Sequence, residues 1–118
     1  MVKTLTELGQ ALNTLYPTRY LKFNRKADNQ FIVYTDEGQE DFFADNQTLT
    51  EITTVDIDFY STTKDITAER RIKDLLRTNK LTYDVSNTTY LNNEDLYLIT
   101  FTVELIDKYK TLEELNNG

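Results

Sequence analysis

Two carboxylates, Asp56 and Asp58, stand two residues apart in the run EITTVDIDFY, residues 51–60. On an extended strand that spacing puts both on one face, with their Cα atoms roughly 7 Å apart. Such a pair suits two kinds of chemistry: acid–base work on a glycosidic bond, or part of a divalent-cation site. Each needs more than the pair supplies, and no third ligand stands at a fixed spacing from it. Alternating charges are also what a solvated sheet face carries, so the pair by itself assigns no reaction. Cys and His are both absent. Their absence removes thiolate nucleophiles, disulfides, zinc–cysteine and iron–sulfur sites, the usual general base near neutral pH, and the usual nucleophilic triads. Catalysis would fall to carboxylates, Lys or Tyr. The three glycines, Gly9, Gly38 and Gly118, are isolated, so no phosphate-cradling loop exists. No cofactor and no metal are expected, and the chain reads as a non-enzymatic protein.

What remains are residues suited to contact. Arg70 and Arg71, with Lys73 and Arg77, make a basic helix face interleaved with Glu69 and Asp74. It is either a solvated face or a surface that meets the acidic 36–58 segment of another copy. Asp41-Phe42-Phe43-Ala44-Asp45 sets two adjacent aromatics between carboxylates. These are either a strand edge or loop tucked onto the core, or an apolar anchor that orders against another chain. The interface candidates are therefore Asp41, Phe42, Phe43, Asp45, Asp56, Asp58, Arg70, Arg71 and Arg77.

Charge is distributed in blocks. Residues 36–60 hold eight acidic side chains and no Lys or Arg, whereas residues 61–91 hold six basic and four acidic. Unlike patches on one chain favour heterologous contacts between copies, and such contacts give a ring when they close. The net charge of −7 argues against nucleic acid as the main ligand, because phosphate binding needs clustered Lys and Arg. The eight Tyr and six Phe have Asp and Thr as neighbours, not the basic residues of a base-stacking surface.

The elements that would position these residues follow from periodicity. Thr4-Leu5-Thr6-Glu7 has the form of a capping box, and Leu5, Leu8, Ala11, Leu12 and Leu15 recur at helical spacing up to Tyr16-Pro17. Residues 19–23 and 31–35 read as a hairpin, and Gly38 opens a long polar connection to about Thr50. Val55, Ile57 and Phe59 alternate with polar residues as in a half-buried strand. Ala68, Ile72, Leu75 and Leu76 stripe the helix that follows. A short strand over Leu81–Val85 and a clear alternating strand over Leu96–Leu105 complete the chain. The expected fold is α+β: a mainly antiparallel sheet of four to five strands with two helices packed on it, in the order α-β-β-β-α-β-β. One domain is expected over residues 1–106, with 107–118 a flexible tail or a docking arm. No run reaches the length of a membrane span or of a signal-peptide core, so a cytosolic protein is expected.

This ordering of motifs resembles a known family. A leading helix, a hairpin, the strand V-D-I-D-F-Y-S (residues 55–61), the helix A-E-R-R-I-K-D-L-L (68–76) and E-D-L-Y leading into I-T-F-T-V-E (94–104) are similar to the small tail-terminator, or tail-completion, proteins of long-tailed bacteriophages. The likeness spans residues 5–105. It implies a structural virion protein that forms a homo-oligomeric ring, typically a hexamer. Such a ring caps the tail tube and joins the tail to the head-completion or connector protein. It also implies assembly in the host cytoplasm and a final place in the virion neck. In that reading the acidic segment 36–45 faces a neighbouring subunit or the tube, and Arg70, Arg71 and Arg77 lie toward a subunit contact. Relatives of this kind often have a more compact loop than residues 36–50. The alternative is an acidic module that binds and inhibits a basic host protein through its 36–58 face.

Overall fold

The capping box expected at Thr4 forms. Thr4 Oγ1 accepts from the Glu7 amide at 3.2 Å, and the Glu7 carboxylate accepts from the Lys3 and Thr4 amides at 3.0 Å each. Those backbone hydrogen bonds hold the Glu7 carboxyl below its ordinary pKa. The computed structural model describes residues 1–22, 29–44 and 48–111. In it α1 runs over Leu5–Leu12 and buries Leu8 and Leu12 completely. The helix stops short of Leu15 because its last turn tightens, with the amides of Thr14 and Leu15 reaching Ala11 and Leu12. Asn13 Oδ1 then accepts from the Thr18 amide at 3.1 Å, leading the chain into the sheet.

The strands are β1 (Thr18–Tyr20), β2 (Gln30–Ala44), β3 (Thr48–Ser61), β4 (Tyr83–Val85), β5 (Thr89–Leu91) and β6 (Leu96–Thr111), with α2 (Ile66–Thr78) between β3 and β4. They form one sheet in the order β1-β2-β3-β6-β4, with β5 also on β6, and every pairing except β1–β2 is antiparallel. The fold is thus α+β, with two helices and a mainly antiparallel sheet in the expected order of elements. The sheet has six strands among the described residues, one more than the four to five expected, because the short β5 joins it.

Two local expectations are corrected. The first pair of strands is not a hairpin: β1 lies parallel to β2, with Thr18 opposite Ile32 and Tyr20 opposite Tyr34. Leu21, which adopts φ 68°, turns the chain off β1, and its amide still reaches the Tyr34 carbonyl at 3.0 Å. Phe23, the end of the expected strand, lies outside the described residues. The second correction concerns the polar connection expected over residues 38–50, of which 45–47 lie outside the described residues. Residues 38–44 belong to β2 and 48–50 to β3, in one long antiparallel ladder with Gly38 opposite Thr54 and Ala44 opposite Thr48. The register shifts between Asp36 and Gly38, leaving Glu37 as the extra residue of a β-bulge. β6 likewise runs past Leu105 to Thr111, so a boundary at residue 106 falls inside a strand.

One face of the sheet carries the core. Val55, Ile57, Phe59, Phe101 and Val103 pack with Ile32 under Leu8 and Leu12 of α1 and Ala68, Ile72 and Leu76 of α2. The alternation expected over Glu51–Tyr60 and Leu96–Leu105 supplies this face, and the α2 stripe covers it. Beyond the helices, β2, β3 and β6 project together as a three-stranded blade, and the molecule measures 52 × 26 × 22 Å. Among the described residues, no helix is long and apolar enough to cross a membrane.

Candidate interaction surfaces

Because the core takes the odd-numbered positions of β3, Asp56 and Asp58 face away from both helices. Each meets a threonine directly across the ladder: Thr102 Oγ1 donates to Asp56 and Thr100 Oγ1 to Asp58, both at 2.7 Å. The bulge adds a third carboxylate, Glu37, beside Asp56. A hydrogen bond between the two, which exists only while one of them holds a proton, raises the Glu37 carboxyl above its ordinary pKa, and the Asp56 charge, desolvation and the charges of Asp58 and Asp36 add to it in that order. The Asp58 carboxyl is also raised. Desolvation is the main cause, the Asp56 charge adds to it, and the Thr100 hydroxyl opposes it. The face thus concentrates negative charge that its hydroxyl partners only partly offset. Among the described residues, no group of three carboxylates has the geometry to hold a metal ion.

Arg70, Arg71 and Arg77 are all exposed on α2, on the side of the molecule away from Asp56 and Asp58. Arg71 Nη1 donates to Tyr16 Oη at 3.5 Å. Arg77 lies 3.7 Å from Asp74 and over the Tyr83 ring at 5.9 Å from its centroid. An exposed ion pair of that length contributes roughly 0–1 kcal/mol, so it does little to hold Arg77. The sheet and helix layers stand between the arginines and the two aspartates, and the two sets do not neutralise each other within one chain.

The remaining candidates separate from both sets. Asp41, Phe42 and Phe43 belong to β2 on the blade, in register with Glu51, Thr50 and Leu49, and Asp45 lies outside the described residues. Glu37, Thr100 and Thr102 complete the acidic face and were not singled out from the sequence. A signal for them existed: aligning T-V-D-I-D-F antiparallel to I-T-F-T-V sets each aspartate against a threonine. No known family model matches the chain, and no curated protein matches it.

Proposed function

We propose that this protein is a structural assembly subunit, a tail terminator of a long-tailed bacteriophage. It would close as a homo-oligomeric ring on the tail tube and present the surface that joins the head connector. The observation that carries this reading is the placement of unlike charges on opposite sides of one rigid two-layer unit, acidic on the sheet and basic on α2. A chain that cannot pair these sets internally can pair them with its neighbours. Repetition of one heterologous contact then gives a ring or a filament. The motif order of residues 5–105 supplies the phage context, and electrostatic matching supplies register and partner choice more than raw affinity. The work is done by assembly, in the host cytoplasm and then in the virion, without turnover.

Sedimentation velocity of the purified protein tests this. A ring-sized or concentration-dependent species is expected at low salt, diminishing toward 1 M, where the Debye length falls to about 3 Å. Electron microscopy with purified tail tubes should show the protein capping tube ends. A monomer at every concentration that also ignores tubes would refute the reading. A second reading, an acidic module that blocks a basic host protein, draws on the crowded carboxylates at Glu37, Asp56 and Asp58. It predicts a tight one-to-one complex with such a protein and no self-association.

A further inference from the structure

The blade leaves two strand edges without a strand beside them among the described residues. β1 covers β2 only as far as Tyr34, yet β2 continues ten residues further, to Ala44. On the other side, β4 covers β6 only as far as Val103, and β6 continues to Thr111. A strand edge with no strand beside it presents backbone amides and carbonyls that can pair with another chain. We propose that these two edges join to each other between copies, so that β6 of one chain lies beside β2 of the next and the blades form one continuous sheet. This deepens the ring reading and rests on it.

Direction and charge both favour a second copy as the partner. β2 and β6 are each antiparallel to β3, so they run the same way, and copies standing side by side bring them together as parallel neighbours. Between Asp36 and Ala44 the sequence of β2 contains four acidic residues and no Lys or Arg. Pairing β2 with β2 across a two-fold axis would therefore set carboxylates against carboxylates, which is unfavourable. The sequence of β6 from Glu104 to Thr111 balances two acidic residues with Lys108 and Lys110. By sequence it is the one strand of the blade that contains Lys or Arg. Joining unlike edges also satisfies both with a single repeated contact, whereas like-with-like pairing of β6 leaves the β2 edge open.

The register supplies the test. Glu40 and Ile106 both lie opposite Ile52, so they stand at the same height and on the same face of the blade, and both are exposed. The chain has no cysteine of its own, so introduced thiols are unique. Glu40→Cys, Ile106→Cys and the double variant are treated with a bis-maleimide of about 10 Å reach, three residues of strand rise, to allow for stagger. Circular dichroism checks the fold of each. The double variant should give a ladder of linked chains, an equal mixture of the two single variants should give dimers, and either single variant alone should give none. Dimers from one single variant alone would overturn the proposal in favour of two-fold pairing. Absence of linkage while sedimentation still shows association would also overturn it, leaving the ring reading intact with its contacts elsewhere. Linkage between unlike edges that stops at two chains when the double variant is used would uphold the edge contact and refute ring closure.

Discussion

At the scale of single residues, two positions set opposing interests against each other. Gly9 sits inside α1, where glycine costs about 1 kcal/mol relative to alanine, so a substitution should help the helix. It does not, because a Cβ there would lie 2.3 Å from Tyr34 Oη and 2.5 Å from Cζ. Overpacking of this kind costs roughly 1–3 kcal/mol, and the clash outweighs the propensity gain. Gly9→Ala should therefore lower the stability measured by urea unfolding, and in a Tyr34→Ala background the same change should become neutral or stabilising. Nothing in the sequence around Gly9 announces this, since the constraint comes from a strand far along the chain. Asp58 behaves differently. Its carboxyl is raised in the fold, so the folded state binds the proton more tightly than the unfolded chain does. The resulting penalty is absent below the ordinary value of 3.8 and complete once pH has risen through the folded value. Asp58→Asn should raise the Tm at neutral pH, and the gain should vanish as thermal unfolding is repeated toward pH 3.

At the scale of elements, α2 depends on its first turn. Asp65 caps it by accepting from the Ala68 amide at 3.0 Å and also accepts from Gln30 Nε2 at 2.7 Å, tying the helix start to β2. Those two hydrogen bonds, the backbone one first, hold its carboxyl below the ordinary value. Asp65→Ala should cost about 1 kcal/mol near neutral pH. The difference from the parent should shrink as acid unfolding is followed down through the folded pKa, because a lowered carboxyl loses its contribution there. How legible each element was depended on whether one face was dry. α1, α2 and the alternating parts of β3 and β6 bury a stripe or a face, and their periods stand out in the sequence. The blade is polar where β2 passes Gly38, so residues 38–50 carry no apolar alternation and read as a loop. The strand in β2 past Gly38 is held instead by its partner, since β3 sets the β-branched Thr54, Thr53 and Ile52 opposite Gly38, Gln39 and Glu40. The parallel β1–β2 pairing was hidden for another reason: two short apolar runs around turn-forming residues look alike whichever way the second strand runs.

At the scale of the whole molecule, the blade explains the dimensions. The radius of gyration is 16.5 Å, against about 13–14 Å expected for a compact chain of this length. The acidic sheet face could be anticipated from the charge blocks, but the blade could not, nor could its two strand edges that have no strand beside them among the described residues. The strand order carries one more consequence, for the making of the protein. β3 takes its second partner, β6, from the far end of the described chain, pairing Thr48 with Thr111 across the intervening helix. Contacts so distant in sequence form slowly, and refolding from denaturant should take milliseconds to seconds, as followed by stopped-flow tyrosine fluorescence. Throughout that delay the β2–β3 hairpin stands with the inner edge of β3 vacant, and the β6 of any other unfinished chain can compete for it. The yield of native protein on refolding should therefore fall as chain concentration rises, so that chains made too fast and too close together would be lost to entanglement before they finish folding.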